Sequence, residues 1–556
     1  MLKQILFLAL FAPIIGTAQK KLLDHTVYDS WQSIGERMIS NDGQFVVYTV
    51  NPQEGDGELV IQNPQTKYKK TVARGYNATI TEDSKYLVFK IKPLFQDTRQ
   101  AKIKKKKGDD LPKDTLGIIE LGKDSIVKIA RVKNYKTPEK GFGYVAYQME
   151  KPLPDTAKKK ATIDSAKLKN KELVKLADSL IKVAVDSIKG NITKEEISEI
   201  VSKAAKQIIK EGKDAEDADG DDAAGGKDSD GSELVLRNLI DARVTVFKLI
   251  SEYYFDKKAN VLLLETTKNS KDSNSKAAVL LYNLSIAKTD TVMKGFNDAK
   301  GFALDEEGKQ LAFVSERDSS EKALTKFYKL WYYAKGQDTA VIVADKNTVG
   351  MQLGYSVSEN AINSFSKDGS KLYFGTAPVR PPKDSTLVDF ETAKLDIWHY
   401  KDDYLQTQQL KNLDAELKRS YTAVYHIDEN KVMQLGTEDA EKVTLVDEGN
   451  ADWVLAESDK GNRIEGQWEG RNKSTAYIIN TETGERKTVF KNLYANAGAS
   501  PAGKFVYWYN PEKKNYFTYE VATGITRNVT EKIKVPLYED DNDVPDFAAP
   551  YGVMGW

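Results

Sequence analysis

Two serines lie in contexts close to that of a hydrolase nucleophile. An α/β-hydrolase carries its serine in the pattern Gly-x-Ser-x-Gly, on a sharp turn between a strand and a helix. Around Ser356 the last Gly is replaced by Ser358, and around Ser500 it is replaced by Ala502. Pro501 follows Ser500 directly, and a proline has no N–H to donate to an oxyanion. We therefore predict that neither serine is a nucleophile.

Histidine and cysteine are scarce, which restricts metal and acid–base chemistry. The 556 residues include no cysteine, so disulfides, thiol nucleophiles and cysteine-ligated zinc are excluded. His25, His399 and His426 lie far apart, and none has the spacing of a metal-ligand pair. All three precede Ser500, whereas an α/β-hydrolase triad runs in the order Ser, Asp, His. We predict no metal site, no cofactor and no catalytic residue, and the sequence assigns no substrate-binding residue.

Other kinds of chemistry leave no specific signature. The chain has 82 Asp and Glu, so a carboxylate pair for glycoside hydrolysis stays possible, although no spacing singles one out. A phosphate-binding loop of the Gly-x-x-x-x-Gly-Lys-Ser/Thr type and a dinucleotide fingerprint are both absent from the sequence. The 82 Lys and Arg balance the acids, so net charge favours neither nucleic acid nor anionic lipid as a partner.

A turn followed by a strand recurs along the chain and organises it. In residues 365–374 the turn is Lys-Asp-Gly-Ser and an apolar strand follows. Asp suits this turn because its side chain can bond nearby backbone, and Gly tolerates a positive φ. Variants of this turn–strand repeat occupy residues 39–48, 80–89, 303–313 and 499–508.

A second repeat follows the first and consists of a strand, a polar turn and another strand. Its copies occupy residues 59–66, 281–286, 477–485 and 519–524. Together the two repeats describe a four-stranded antiparallel unit of roughly 45 to 60 residues, the size of a propeller blade. Serial β-sandwiches also fit short, evenly spaced strands, but a ring buries all the units in one architecture. The predicted fold class is all-β, a β-propeller of seven or eight four-stranded blades with a helical-hairpin insertion.

The first 18 residues have the pattern of a cleavable secretory signal. Lys3 precedes the apolar segment 5–15, which the small residues Gly16, Thr17 and Ala18 follow. The apolar segment is shorter than the roughly 20 residues that span a bilayer. A buried N-terminal helix and an uncleaved anchor are the alternatives. We predict cleavage near Ala18 and a periplasmic or secreted protein.

Residues 155–232 differ from the strand-rich remainder. Apolar residues recur at helical spacing in two stretches, at Leu173, Leu176, Leu180 and Val183 and at Ile197, Ile200, Ala204 and Ile208. Thr193 and Glu196 form a capping box ahead of the second stretch. Residues 214–230 are acidic and lack the spacing of a calcium-binding loop. We predict a helical hairpin and an acidic disordered linker, inserted between propeller parts 19–154 and 233–556.

Two local segments have both a functional and a structural interpretation. Residues 101–114 are rich in lysine, and their neighbouring acids favour an extended, solvated hairpin loop over an anion-binding patch. Residues 395–400, Leu-Asp-Ile-Trp-His-Tyr, place aromatic side chains after an acid. We predict that this aromatic segment packs between blades and is not a ligand site.

Four segments carry a resemblance to a known family: residues 28–34, 40–48, 395–400 and 535–545. In these segments the chain resembles the N-terminal portion of an exported bacterial serine peptidase of the prolyl oligopeptidase family. The resemblance extends over nearly all of the chain after the signal, and the inserted segment matches least well. In that family a seven- or eight-bladed propeller caps an α/β-hydrolase domain, which carries the Ser, Asp and His.

The resemblance implies a non-catalytic, substrate-gating propeller of a secreted serine peptidase that hydrolyses peptides. The hydrolase domain is then expected after Trp556, so the second propeller part, 233–556, is expected to be truncated. Implied partners are peptides, by way of that domain, with no nucleic acid and no membrane span once the signal is removed. The alternative is a stand-alone exported propeller that binds peptide, protein or glycan. A propeller enzyme that uses acidic side chains in its channel is a third hypothesis.

Overall fold

The computed structural model describes residues 28–29, 31–151, 230–320, 323–382, 384, 388 and 395–556. The chain divides into two compact units. The larger comprises residues 1–95, 113–149 and 230–556, and the smaller comprises residues 96–112 and 150–229. The predicted signal and nearly all of the predicted helical hairpin and acidic linker lie outside the described residues, so those predictions and the predicted domain boundaries stay untested.

The larger unit consists mostly of small antiparallel sheets, as predicted. Sheet 1 has the strands β1 (Gln32–Ile39), β2 (Val46–Pro52), β3 (Glu58–Asn63) and β4 (Tyr68–Ala73). Sheet 2 has the strands β5 (Gly75–Ile80), β6 (Tyr86–Ile91), β7 (Thr115–Glu120) and β8 (Ile126–Ala130). In both sheets each strand pairs with the next one along the chain. This order is that of the four-stranded unit expected from the two repeats.

Sheet 3 has seven strands, because one long strand belongs to two four-stranded groups. Its strands are β9 (Val132–Lys136), β10 (Tyr144–Met149), β11 (Ser232–Asn238), β12 (Val244–Phe255), β13 (Val261–Thr266), β14 (Ala278–Asn283) and β15 (Lys288–Lys294). The first half of β12 pairs with β11, and the second half pairs with β13. Leu249, between the two halves, has a φ of 60°. The strands β10 and β11 pair directly although residues 150–231 separate them in sequence.

Four further sheets belong to the described part of the larger unit. Sheet 4 has β16 (Asp298–Leu304), β17 (Gln310–Glu316), β18 (Lys329–Ala334) and β19 (Val341–Ala344). Sheet 5 has β20 (Tyr355–Val357), β21 (Ser364–Phe365), β22 (Lys371–Pro378), β23 (Tyr421–His426) and β24 (Lys431–Gln434). Sheet 6 has β25 (Lys442–Thr444), β26 (Trp453–Ser458), β27 (Ser474–Asn480) and β28 (Arg486–Leu493). Sheet 7 has β29 (Gly498–Ala499), β30 (Phe505–Asn510), β31 (Asn515–Glu520) and β32 (Ile525–Asn528).

Helices are few among the described residues. They are α1 (Phe95–Ile103), α2 (Gln406–Leu417) and α3 (Gly466–Glu469), with 3₁₀ turns at Gly108–Asp110 and Asp447–Gly449. No helix in the described part of the chain is long and apolar enough to cross a membrane.

Apolar clusters join each sheet to the next, because alternate residues of a strand point to opposite faces. On β17, Leu311 and Phe313 pack in a cluster shared with sheet 3. Ala312 and Val314 of the same strand pack in a cluster shared with sheet 5. Corresponding clusters join sheets 1 and 2, sheets 2 and 3, sheets 5 and 6, and sheets 6 and 7. The two halves of sheet 3 also share a cluster. The core is therefore a series of similar layers.

The turn–strand repeat is held by one side chain that bonds the start of its own strand. Ser366 Oγ accepts the N–H of Lys371 at 2.9 Å, and Gly369 has a φ of 75°. Equivalent bonds run from residue 45 to Ser40, from 86 to Thr81, from 310 to Asp305 and from 505 to Ser500. The Asp368 carboxylate also accepts the N–H of Ser370 at 3.0 Å. The predicted turn chemistry is confirmed.

Two local predictions are wrong. The lysine-rich stretch does not begin as an extended hairpin: α1 runs to Ile103, and Ala101 inside it is buried. The aromatic segment 395–400 does not pack between sheets, since Trp398 is 65% exposed and Tyr400 is 87% exposed. Residue type alone suggested burial for this segment, but no described sheet or helix covers these side chains.

Candidate ligand site at the first-strand edge

The strands β1, β5, β12 and β16, each of which begins a four-stranded group, share an irregularity. The pairing register shifts between Ile34 and Arg37 in β1, Tyr76 and Thr79 in β5, Ile250 and Glu252 in β12, and Lys300 and Ala303 in β16. Such β-bulges free backbone groups from the ladder and redirect side chains, and they are common next to functional sites. We call the edge formed by the strands that begin the groups, β20 of sheet 5 included, the first-strand edge.

Side chains from neighbouring sheets bond the freed backbone groups. The Glu36 carboxylate accepts the N–H groups of Asn77 at 2.9 Å and Ala78 at 3.2 Å. The Asn363 amide donates to the carbonyl oxygen of Gly301. Gly301 has a φ of 62°, which favours glycine at this position. These bonds fix the shape of the first-strand edge from one sheet to the next.

A cavity of about 330 Å³ lies at this edge, between sheet 2 and the two halves of sheet 3. It is lined by Asn77, Thr79, Tyr135, Lys136, Thr137, Glu139, Tyr254, Phe255, Asp256 and Lys257. The lining combines aromatic rings, hydroxyls and both signs of charge. We call it the Lys136 cavity.

Lys136 is the most distinctive group in this cavity. Its half-buried ammonium donates to the carbonyl oxygen of Tyr253 at 2.8 Å and lies 3.6 Å from the ring centroid of Tyr254. Among the described residues no carboxylate lies within 4 Å of the ammonium. Burial lowers the pKa of Lys136 below its ordinary value, and the more distant Glu252 opposes this shift.

Two tyrosines shape the walls of the Lys136 cavity. The Tyr135 hydroxyl lies within hydrogen-bonding distance of the Asn77 carbonyl oxygen and 3.1 Å from the Thr79 hydroxyl. The Tyr254 hydroxyl donates to the Glu252 carboxylate at 2.9 Å. Burial raises the pKa of both tyrosines to about 12. Both phenols are therefore neutral near pH 7.

A second cavity, of about 340 Å³, lies beside sheets 4 and 5. Its lining is Leu324, Thr325, Lys326, Phe327, Tyr328, Ser356, Val357, Ser358, Glu359, Asn360, Ala377, Pro378, Val379, Arg380, Pro381, Pro382 and Leu417. Lys300 is not part of this lining, but it bonds Glu359, which is, and lies 2.9 Å from Asp298. Burial alone would lower the pKa of Lys300, but the bonds with Glu359 and Asp298 raise it. We call this the Lys300 cavity.

Glu265 lies on β13, between the two cavities. The residue is only 9% exposed, and its carboxyl accepts the Ser251 hydroxyl at 2.7 Å. Burial raises its pKa to about 7, and the nearby charges of Glu252 and Asp298 contribute to the same shift. Glu265 therefore changes its charge near neutral pH.

A third cavity, of about 280 Å³, has its charges largely compensated. Its lining is Pro378, Arg380, Glu416, Arg419, Tyr421, Glu438, Glu441 and Lys460. Beside it the Arg463 guanidinium, with a side chain 7% exposed, bonds Glu441 and Asp459 at 2.7 Å each. Arg419 lies 3.3 Å from the same Glu441 carboxylate. This network serves to fix the loops around sheets 5 and 6.

The two serines and the described histidines, which were the candidates for catalysis or metal binding in the sequence, lie in separate places. Ser356 is buried on β20, with its hydroxyl 3.3 Å from the Val357 carbonyl oxygen. Ser500 is buried in its turn, where it accepts the N–H of Phe505. His426 is buried and bonds the Thr481 carbonyl oxygen at 2.9 Å, whereas His399 is exposed. His25 lies outside the described residues. The described part of the chain holds no group of three or more His, Asp or Glu able to bind a metal.

Sequence reasoning missed the residues of both cavities. Lys136 and Lys300 are single lysines in a chain with 82 Lys and Arg, and no motif marks them. The sequence did contain a pattern for one residue of the Lys136 cavity, however, because Asp256 begins a further copy of the turn–strand repeat. Its carboxylate accepts the N–H of Val261 at 2.8 Å, and Ala259 occupies the positive-φ position.

No family model matches the sequence, and no curated protein matches it. Among solved structures, the tricorn protease is 10% identical with a TM-score of 0.31, over 89% of this chain and 39% of that chain. The propeller domain of the Trilobed protease from Pyrococcus furiosus is 9% identical with a TM-score of 0.29, over 83% and 99%. A eukaryotic initiation factor is 11% identical with a TM-score of 0.39, over 89% and 87%.

These likenesses are weak. The chain spans about two fifths of the length of the tricorn protease chain. With TM-scores below 0.5, none of these structures carries an argument about this chain, and the function has to be argued from its own residues.

Proposed function

We propose that this chain is the non-catalytic, substrate-gating β-propeller of an exported serine peptidase that hydrolyses peptides. The resemblance of residues 28–34, 40–48, 395–400 and 535–545 to the prolyl oligopeptidase family supports the assignment. The series of four-stranded antiparallel sheets is consistent with a propeller. If β12 closes one blade and opens the next, sheet 3 contains two blades and the described sheets make eight.

The observation that carries this proposal is the character of the first-strand edge. In a propeller, the strands that begin the blades lie toward the central channel. Here that edge carries two cavities of about 330 and 340 Å³, lined by rings, hydroxyls and charged groups. A peptide offers backbone donors and acceptors together with apolar side chains, which such walls can bind.

The hydrolysis itself is assigned to an α/β-hydrolase domain outside this chain. That domain would supply the serine nucleophile, the histidine base and the aspartate. Ser500 and Ser356 are not assigned to this role, since each bonds or faces local backbone within its own sheet. The predicted signal supports export to the periplasm or beyond the cell.

The genomic locus provides a direct test. We expect the reading frame to continue past the Trp556 codon into a domain with Gly-x-Ser-x-Gly, then Asp, then His. A stop codon with no hydrolase reading frame downstream would contradict this function. It would favour the second candidate, a stand-alone exported propeller that binds peptide, protein or glycan.

One observation favours that second candidate. In the segment 395–400, Trp398 and Tyr400 are largely exposed, and the His399 and Tyr400 rings lie 5.0 Å apart. Exposed aromatic rings are typical of surfaces that bind proteins or sugars. Glycan-array binding that is lost in Trp398→Ala would support this alternative.

A further inference from the structure

Among the described residues, Lys136 is half-buried and lacks a carboxylate partner, whereas Lys326 and Arg380 of the Lys300 cavity, which also lack one, are exposed. Lys300 bonds Glu359 and Asp298, and Lys257 lies 3.6 Å from Glu306. Lys136 has one backbone carbonyl and two tyrosine rings within reach, and no carboxylate within 4 Å in the described part of the chain.

An ammonium has three N–H donors. One of them is used by the Tyr253 carbonyl oxygen at 2.8 Å. The Tyr254 ring, 3.6 Å away, attracts the cation through its face but accepts no strong hydrogen bond. Two donors therefore remain for a group in the cavity. Because a partly buried charge without a partner is costly, an anion is the ligand that the cavity accommodates best.

The other charges of the cavity indicate which anion fits. Glu139 and Asp256 also line it, so the positive charge of Lys136 and Lys257 is largely offset. Asp256 is buried and already accepts the N–H groups of Asn260 and Val261. A doubly charged phosphate would face these acids, whereas a carboxylate brings a single charge. The hydroxyls of Thr79 and Thr137, which also line the cavity, are further hydrogen-bond donors.

We propose that the Lys136 cavity binds a carboxylate group of a peptide ligand, with the Lys136 ammonium as its charged partner. This inference rests on the proposed function for the ligand class, because a peptide supplies the carboxylate. Its source is either the C-terminus of the peptide or an Asp or Glu side chain.

The proposal predicts a direction of pH dependence. Groups that face Lys136 are the Glu252 carboxylate, the phenols of Tyr135, Tyr253 and Tyr254, and the cavity residues Glu139, Asp256 and Lys257. Both phenols with a pKa of about 12 stay neutral below pH 10. Burial lowers the pKa of free Lys136, and a bound carboxylate raises it again. Carboxylate affinity should therefore fall as the pH rises through the titration of Lys136.

The first experiment uses the full chain with unmodified lysines labelled with ¹³C at Cε, observed by NMR. The Lys136 resonance is assigned by its loss in Lys136→Met. We expect it to shift saturably on titration with N-acetylalanine and not with N-acetylalaninamide, while the Lys300 resonance does not move. Lys136→Met should weaken N-acetylalanine binding by about tenfold or more, and Lys300→Met by less than about twofold.

An unmoved Lys136 resonance, or equal shifts with the acid and the amide, would overturn the proposal. The comparison of acid and amide needs only the wild-type chain, so it holds even if Lys136→Met fails to fold. Lys136→Gln provides a second uncharged variant.

A second experiment identifies the source of the carboxylate. Tetra-alanine with a free C-terminus, its C-terminal amide, and an amide that contains one Glu are compared by calorimetry. Preference for the free C-terminus, or for the Glu peptide, names the source. If all three bind equally and Lys136→Met changes nothing, the carboxylate inference fails while peptide binding stands. If N-acetylalanine binds and none of the peptides does, the proposed function fails instead.

Discussion

Lys136 and Lys300 occupy similar places and have opposite surroundings. Each lies on a strand that begins a four-stranded group, and each is half-buried beside a tyrosine ring. Lys300 has two carboxylate partners, Asp298 and Glu359, which raise its pKa. Lys136 has none within 4 Å among the described residues, and burial lowers its pKa. The same residue type is thus part of the scaffold in one cavity and available to a ligand in the other.

The difference shows how a repeated architecture acquires a site. The bulges in β5, β12 and β16 recur because the sheets repeat, and Asn77 and Thr79 of the β5 bulge line the Lys136 cavity. What differs is whether a neighbouring sheet supplies a counter-charge. Sheet 5 provides Glu359 to Lys300, whereas the elements around Lys136 provide a carbonyl and aromatic rings. Function is therefore expected where the local compensation of charge is incomplete.

The largest expected effect comes from removing the packing behind one of the two regions. Phe313 is fully buried, and its ring lies 5.4 Å from Phe302, a residue of the β16 bulge. We expect Phe313→Ala to lower the free energy of unfolding by about 3 to 5 kcal/mol, measured by urea denaturation.

Phe89→Ala is the matched control, because Phe89 is also fully buried but lies in sheet 2, away from the β16 bulge. A similar loss of stability is expected there, and only Phe313→Ala should also shift the Lys300 resonance, because only Phe313 packs against the β16 bulge. A loss below about 1 kcal/mol in Phe313→Ala would show that the β16 bulge does not depend on this packing.

The second-largest expected effect is a pH dependence of stability. It comes from Glu265, which lies between the Lys136 cavity and the Lys300 cavity. The pKa of Glu265 is about 7 in the folded chain, against an ordinary value of 4.5. A carboxyl group whose pKa is higher in the folded chain than in the unfolded chain stabilises the fold when the pH is below the unfolded pKa. This stabilisation is lost as the pH rises through the folded pKa. The free energy of unfolding should therefore fall by on the order of 3 kcal/mol between about pH 4.5 and pH 7.

Glu265→Gln should remove this dependence, because an amide does not titrate. Denaturation midpoints of both chains at pH 5 and pH 8 provide the measurement. An equal pH dependence in the variant would assign the effect to other groups.

The smallest effect compares the two lysines in the stability of the chain. Lys300→Met leaves Asp298 and Glu359 without their cation. Because these side chains are more than one-third exposed, solvent screening limits the loss to about 1 kcal/mol. Lys136→Met should change stability by less than about 0.5 kcal/mol, since losing the ring contact is offset by no longer burying a charge. A larger loss from Lys136→Met than from Lys300→Met would reverse the comparison.

Much of the fold could be predicted because the residues of each repeat indicate a turn and the strand that follows it. The Asp-Gly turn and the alternating strand after it gave the small antiparallel sheets. The copy at Asp256 was missed because Ala259 stands where other copies have Gly or Ser. The aromatic segment 395–400 is predicted to be buried because its side chains are apolar. This prediction is wrong because residue type does not show whether a neighbouring sheet covers the segment.

The candidate site could not be predicted for a related reason. A lysine without a counter-charge is defined by what surrounds it in space. Tyr254, which faces Lys136, is more than 100 residues away in sequence, and no spacing rule joins the two. The serine patterns, by contrast, can be judged locally, because the residues next to Ser500 decide whether an oxyanion donor is available.

We propose that this chain holds peptides without cleaving them, and peptide retention by the purified chain provides the test. The purified chain is incubated with a defined peptide mixture of free and amidated C-termini, and the bound and unbound fractions are separated and analysed by mass spectrometry. We predict intact peptides in the bound fraction, with those bearing a carboxylate enriched and this enrichment lost in Lys136→Met. Cleaved peptides in either fraction, or no retained peptide at all, would contradict the account.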